Sequence, residues 1–253
     1  MTLRFSTGAR AGLLQSSGFS GMFNRGSCNI YSGAQPASAD AAATGTLLGV
    51  VTANSLPLTQ EVQAAGAIVI TGGATAVDTV TVGTFNIIPD GPVLYNTSTA
   101  QTAADLADAI NRNGIFSASV VGSAITIKPI PGAGAAYNGL TLTSTGGVTA
   151  TYGGGTVSGG VNSVNGLIFG NPAAGVMGKP TTQIWSFNGI AAGTAGWFRF
   201  IGSVADAGGV SSTLVRMDGS IATSGGDMAL SNISVLVGAP NTVDRFNMTQ
   251  PAQ

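Results

Sequence analysis

The sequence predicts a mainly β protein: a discontinuous β-sandwich or barrel-like domain, with a small α+β module containing one clear helix inserted into it. Three observations predict it. The last third of the chain reads as short strands divided by turn signals, the pattern of a sandwich or barrel. The first 60 residues supply too few strands for a second such domain, so they are expected to pair with the C-terminal strands. Between the two runs a stretch of different texture, with strands around one well-marked helix. The expected parts are 1–61 and 165–253 for the β domain and 62–164 for the module; a colinear pair of independent domains is the alternative.

In the opening segment, Ala9, Leu13 and Leu14 are placed for one side of a short helix over 6–15, which Gly8 and Gly12 weaken. Cys28, Ile30 and Ser32 alternate with Asn29 and Tyr31 up to Gly33 and predict a strand. Residues 34–45 are small and polar, with Pro36 and Asp40, and read as a loop. Leu47–Val51 is a short apolar run expected as a buried strand.

In the module, Ala67–Thr71, Val77–Val82 and Thr84–Ile88 read as strands, with Gly72-Gly73 and Gly83 as breaks. Ser98 and Gln101 match a capping box, in which a hydroxyl and an amide satisfy free N–H groups reciprocally. Ala103, Leu106, Ala107 and Ile110 follow at helical spacing. Asp105 is placed towards the positive end of that helix, Arg112 towards the negative end, and Gly114 suits the left-handed position beyond it. Phe116–Val121 and Ala124–Lys128 flank Gly122-Ser123, a sequence suited to a type II′ hairpin turn. Leu140 and Leu142 alternate with Thr, and Val148, Ala150 and Tyr152 alternate with Thr149 and Thr151. Gly153-Gly154-Gly155 and Gly159-Gly160 read as connecting turns or a flexible exit.

Beyond the module, Ile184–Phe187 and Trp197–Ile201 are aromatic-rich strand candidates. Leu214–Met217 and Ser220–Thr223 flank Asp218-Gly219, the strongest local hairpin signal in the chain. Ile233–Val237 and Val243–Met248 complete the set, with Pro240 in the loop between them.

Composition narrows the function. The chain has 253 residues, 39 of them Gly, only 19 charged side chains and a net charge of −1. Ser, Thr, Asn, Gly and Ala must therefore cover the surface, which is easily desolvated and suits subunit packing. There is no basic run, and Arg4, Arg10 and Arg25 are too sparse for a nucleic-acid footprint. No apolar stretch is long enough for a transmembrane helix, and the N-terminus lacks the apolar core of a signal peptide, so neither membrane insertion nor export by the usual route is expected.

Chemistry is narrowed too. The chain contains no His, so neither a Ser-His-Asp nor a Cys-His nucleophilic system can be built. Cys28 is the sole Cys, which excludes an intrachain disulfide, and it is expected as a buried small hydrophobe. Asp105 and Asp108 could share a helix face, as two carboxylates would in a glycosidase, but solvated helix positions are the simpler reading. Glu61, the only Glu, has no assignable partner. Asp206, Asp218 and Asp227 lack calcium-loop spacing and read as turn residues. Gly153–Gly160 has no Lys-Ser/Thr after it and is no P-loop. Lys128, Lys179 and Arg112 read as isolated and solvated; Trp185 and Trp197 are the only tryptophans available as sugar platforms, and Trp197, among Phe198 and Phe200, reads as a core or interface anchor. No catalytic, cofactor-binding or metal-binding set is assigned.

Four phrases carry a resemblance: Leu3–Arg10, Ile30–Asp40, Ala192–Phe200 and Arg216–Ser220. They resemble a family of tailed-bacteriophage virion structural proteins over roughly the first 50 and last 70 residues. The module, through Thr79–Val82, Ala103–Asn111, Ala124–Lys128 and Gly134–Gly139, is similar to a small α+β module of phage structural proteins, including tail-sheath-type ones. The resemblance implies a non-enzymatic virion component assembled in the bacterial cytoplasm. It is expected foremost as a homo-oligomeric capsid decoration or cement subunit that packs against the major capsid protein or against neck and tail proteins. Collar, tail-tube or baseplate placement and a host-adhesion, glycan-binding role are the alternatives, and an enzyme ranks last.

Overall fold

A computed structural model describes residues 3–14 and 18–249, with Tyr152 described by its backbone alone. The chain divides into two compact units, Met1–Glu61 with Ser163–Gln253, and Val62–Asn162. The first unit opens with β1 (Arg4–Phe5), α1 (Thr7–Leu14), α2 (Phe19–Phe23), β2 (Ser27–Ser32) and β3 (Leu47–Ala53). The second holds β4 (Ala65–Val82), β5 (Phe85–Asn86), β6 (Val93–Leu94), α3 (Thr99–Asn111), β7 (Phe116–Val121), β8 (Ala124–Pro129) and β9 (Leu142–Ser158). The chain then returns to the first unit with β10 (Val176–Gly178), β11 (Trp185–Asn188), β12 (Gly193–Ile201) and β13 (Arg216–Ala222). It ends with β14 (Met228–Leu230), β15 (Ser234–Val235) and β16 (Pro240–Thr249).

The protein is mainly β, and the first unit is a barrel. Its strands run β12–β13–β14–β16–β11–β3–β2 and back to β12, a closed ring of seven. Closure removes the sheet edges that would otherwise expose unpaired backbone groups. N- and C-terminal segments interleave in it: β2 pairs with β12 (Ile30↔Phe198), and β3 pairs with β11 (Ala53↔Trp185). The period-2 alternation sets which residues fill it. Cys28 and Ile30 of β2, Phe198 and Phe200 of β12 and Met217 and Ile221 of β13 join Trp185, Phe187 and Phe246 in one core.

The largest departure from expectation is at Asp218-Gly219. No hairpin forms there; both residues lie inside β13, which runs unbroken from Arg216 to Ala222. Tertiary contacts override the local turn signal. Asp218 faces Arg199 across the ladder, and a Cβ on Gly219 would sit 2.4 Å from the Phe198 ring. The chain leaves β13 later, through the 223–227 link, where Asp227 accepts from Ser220 N at 2.8 Å and Ser220 Oγ at 2.7 Å. β14 then leaves parallel to β13. Pro240 opens β16 instead of lying in a loop, a place open to a residue without an N–H. In α1 only Ala9 is buried; Leu14 is 89 % exposed, so the expected apolar side does not form. Gln15 at the end of that expected helix, like Met1 and Thr2, lies outside the described residues.

The second unit is a sheet covered by α3. Its core joins Ile68, Ile70, Val80 and Val82 of β4 to Leu106 and Ile110 of α3, with Phe116, Ile125 and Ile127 from the β7–β8 hairpin. Gly122 has φ +59°, as the hairpin turn requires. Ser98 caps α3, its Oγ accepting from Gln101 N at 3.1 Å. The reciprocal half of the box does not form, because the Gln101 amide turns to Asp105 at 2.8 Å. No acidic residue lies in the first turn of α3, so Asp105 is past the reach of the helix dipole. Gly114 is left-handed (φ +73°), two residues beyond the C-cap Arg112.

Neither glycine run breaks a strand. β4 continues through Gly72-Gly73 and β9 through Gly153–Gly155. The two pair along most of their lengths, with register shifts on β4 between Ile70 and Gly72, Gly73 and Val77, and Val77 and Thr79, and between Ala65 and Ala67, where β9 bulges through left-handed Gly154 and Gly155 (φ +76° and +67°).

Candidate functional site

Two polar constellations stand out, one in each unit. In the barrel unit, the strand alternation that sends Phe198 and Phe200 into the core turns Trp197 and Arg199 to the other face. Arg199 and Asp218 form a bidentate pair there, Nε–Oδ1 and Nη2–Oδ2 both at 2.7 Å, with both side chains fully buried. Next to it on β13, Arg216 pairs bidentately with Asp206, both contacts at 2.6 Å. Their side chains are 1 % and 3 % exposed. The Ala41 carbonyl ties the pairs together, accepting from Arg199 Nη1 at 3.0 Å and, more distantly, from Arg216 Nη1 at 3.5 Å. Trp197 stacks on Tyr31 at 4.4 Å between ring centroids, and the Arg199 guanidinium lies 5.5 Å from the Trp197 ring.

The 33–44 segment covers this face and is stitched down. Arg4 donates to the Pro36 carbonyl, and Asp40 accepts from Thr7 N and Thr7 Oγ1 at 2.8 and 2.7 Å. Ser211 N donates to the Asp40 carbonyl, and Ala43 N to that of Gly208. Planar guanidinium forks suit such pairing: each satisfies two carboxylate oxygens and still reaches a carbonyl. Burial raises the Asp218 carboxyl, opposed by Arg199, Arg216 and Arg4. Burial also raises the Tyr31 hydroxyl and the Cys28 thiol, the latter with help from the Asp218 charge. Cys28 packs in the barrel core as an apolar side chain.

Asp40 carries the opposite shift. The Thr7 hydroxyl, and then the Thr7 N–H, hold its carboxyl below the usual aspartate value, with Arg10 and Arg216 adding to the effect. A depressed folded-state value contributes stability that is full above the unfolded value of about 3.9 and is lost as pH falls through the folded one. Asp40→Asn is therefore expected to be less stable than the parent at pH 7, with the gap narrowing as pH drops below 4. Urea unfolding at the two pH values checks this, and an equal gap at both would contradict it.

The second constellation is a groove of about 580 Å³ beside α3, lined by Pro92–Asn96, Asp105, Asp108 and Arg112. It brings Asp105 and Asp108 together, as their spacing predicts. Asp105 is already engaged: Oδ1 accepts from Gln101 at 2.8 Å and Oδ2 from Asn96 at 3.0 Å. Arg112 is not isolated but pairs with Asp90 at 2.9 Å, both well exposed. Each carboxylate oxygen of Asp105 therefore accepts one bond from a neighbouring amide.

Other expectations are revised by their contacts. Asp218 is a strand residue in an ion pair, not a turn residue, and Asp206 is a pair partner that also accepts from Gly208 N at 2.8 Å. Glu61 is buried and accepts from the Ser203 hydroxyl. Lys179 donates to the Val243 carbonyl at 2.9 Å. Trp185 and Trp197 are fully buried anchors. Sequence reasoning passed over the arginine pairs. Strand alternation in Phe198-Arg199-Phe200 and Arg216-Met217-Asp218 sets the charges on the face opposite the core, where the local pattern predicts solvated side chains. Their burial comes from the 33–44 segment, which brings the Ala39 and Ala41 carbonyls over both guanidiniums, and a charge so covered must be paired.

Among the described residues, no group of three or more His, Cys, Asp or Glu side chains could hold a metal ion, and no helix is long and apolar enough to cross a membrane. Comparison of the chain with family models, curated proteins and solved structures gives no match.

Proposed function

We propose that the protein is a non-enzymatic structural component of a tailed-phage virion, acting as a capsid decoration or cement subunit through protein–protein packing. The observation that carries this reading is an apolar tip at one end of the barrel. The turn at Gly189-Ile190 is bonded to the turn at 236–239, with Gly238 N to Gly189 O at 2.7 Å and Gly189 N to Ala239 O at 3.0 Å. Ile190, Leu236 and Val237 are 57 %, 61 % and 68 % exposed there. Apolar side chains grouped on a charge-poor surface favour association. Burying them against a neighbour contributes about 25 cal/mol per Å² of apolar area, less the cost of immobilising the subunit.

The four phrases that resemble virion proteins also converge. Arg4 and Thr7, Tyr31 to Asp40, Trp197 and Arg199, and Arg216 and Asp218 all belong to the single stitched face of the barrel. A shared phrase pattern would then encode one structural unit and no reaction. Its partners would be the major capsid protein and further copies of itself.

Mass spectrometry of purified phage particles tests the proposal. Hundreds of copies per particle are expected. Six or twelve would move the protein to the neck or tail, and absence from the particle would remove the virion reading.

A further inference from the structure

Two arginines of the barrel unit stand outside its ion pairs. Arg199, Arg216 and, in the other unit, Arg112 each hold a carboxylate. Arg4 of β1 and Arg10 of α1 hold none among the described residues: Arg4 donates to the Pro36 carbonyl, and Arg10 Nη2 to the Thr7 hydroxyl at 2.9 Å. Both line one open concavity of about 300 Å³, together with Phe5, Ala37, Ser38 and Ala39, and no acidic residue is in that lining. A guanidinium carries several N–H donors, so each retains donors for a ligand. Ser38 adds a third group: its exposed hydroxyl accepts from Asp40 N at 3.1 Å, which leaves the hydroxyl proton to donate. Asp40 lies close enough for Arg10 to lower its carboxyl, but each of its oxygens already accepts from Thr7. Around the 33–44 segment the four guanidiniums of Arg4, Arg10, Arg199 and Arg216 meet the three carboxylates of Asp40, Asp206 and Asp218, so one positive charge is left over.

We propose that the concavity between Arg4 and Arg10 binds one carboxylate group, borne by an aspartate or glutamate side chain of a neighbouring protein subunit. The charge count selects the ligand. A carboxylate neutralises the excess, whereas a phosphate, close to doubly charged at neutral pH, would overshoot it. Planar forks on carboxylates are also how Arg199 and Arg216 are satisfied in the same unit. Magnitude selects the bearer. Arg10 is exposed and Arg4 half-buried, so water screens the bonds they make to a ligand. A few screened, charge-assisted bonds hold a free carboxylate with a dissociation constant of only about 10 mM. That is too weak for a dedicated small-molecule site. It is enough to fix register and exclude wrong partners in an interface whose remaining area supplies the affinity. The protein bearer rests on the packing reading given above; the carboxylate site does not.

Titration of the isotope-labelled full chain with acetate at constant ionic strength, followed through the NMR signals of the arginine Nε–H groups, tests it. The Arg4 and Arg10 signals are expected to move together and to saturate with one dissociation constant of about 10 mM. Arg10→Gln is expected to weaken acetate binding about tenfold, the loss of a charge-assisted hydrogen bond. Arg112→Gln, in the other unit, is expected to leave it unchanged, and phosphate is expected to bind more weakly than acetate. Signals that never saturate, an Arg10→Gln variant that binds as the parent does, an Arg112→Gln variant that loses binding, or phosphate binding tighter than acetate would each overturn the carboxylate site. Acetate binding tighter than about 0.1 mM would overturn the protein bearer, because a free carboxylate would then fill the site unaided. If Arg10→Gln does not fold, Arg4→Lys, which keeps the charge and loses the fork, decides in its place and is expected to weaken binding. No phage particle enters the measurement: its failure leaves the virion reading standing, and absence of the protein from particles would remove the bearer but not the site.

Discussion

Asp218→Ala is expected to lower the unfolding free energy by about 3–5 kcal/mol, the cost of removing one member of a buried ion pair. The size follows from what is left behind. Arg199 is fully buried, and its Nε and Nη2 donate only to Asp218. The remaining bond, Nη1 to the Ala41 carbonyl, cannot neutralise the charge. The guanidinium cannot shed its proton, so the strand must keep an unpaired cation in the interior or open to water. Replacing both partners has a different consequence. Arg199→Met with Asp218→Leu removes the need for compensation and is expected to recover most of the loss, because a buried pair holds little net advantage over apolar residues of similar volume. Urea unfolding of the parent, the single variant and the double variant provides the measurement. A single variant within about 0.5 kcal/mol of the parent, as an ordinary surface substitution would be, would mean that the pair does not hold the 33–44 segment against the barrel.

The same pair marks where sequence reasoning stopped. The mainly β class, strands β2 and β3, the β7–β8 hairpin and the Ser98 cap of α3 were legible because each is written in neighbouring residues: alternation, a turn glycine, a capping hydroxyl. Asp218-Gly219 carries the same kind of local signal and was misread. Its outcome is set by Arg199 and Phe198 on another strand, which local spacing cannot reveal. Gly72-Gly73 and Gly153–Gly155 failed for a related reason. A glycine pair permits a break but does not require one: β4 and β9 stay paired through Gly72-Gly73, whereas at the second run β9 bulges away from β4 through left-handed Gly154 and Gly155 and pairs again at Ser158. Barrel closure was legible only as a pairing of the chain's two ends. The short β14, parallel to β13 and antiparallel to β16, completes the ring through contacts that no period in the sequence announces. The groove at α3 was visible from the spacing of Asp105 and Asp108, but the engagement of Asp105 by Asn96 and Gln101 was not.

Phe246→Ala is expected to destabilise the barrel by about 3–5 kcal/mol, in the range for truncating a buried aromatic side chain. Phe246 meets four other rings: Phe200 at 4.9 Å, Phe198 at 5.8 Å, Phe169 at 6.0 Å and Trp185 at 6.2 Å between centroids. Those rings come from separate stretches of chain, with Phe198 and Phe200 on β12, Trp185 on β11 and Phe169 in the segment before β10. A cavity at this position therefore cannot be filled by moving one strand, and incomplete collapse is what makes such a truncation costly. The backbone adds to the effect, because β16 carries ladders to β10, β11 and β14, and loosening it threatens the ring at two seams. Phe246→Leu keeps more of the apolar contact and is expected to lose less. The two tryptophans of the chain both lie in the barrel unit, so tryptophan fluorescence during urea unfolding reports on that unit specifically. An unchanged midpoint for Phe246→Ala would show that the aromatic cluster does not hold the barrel closed. A large loss for Phe246→Ala and a smaller one for Phe246→Leu would tie closure to the packing volume at this one position.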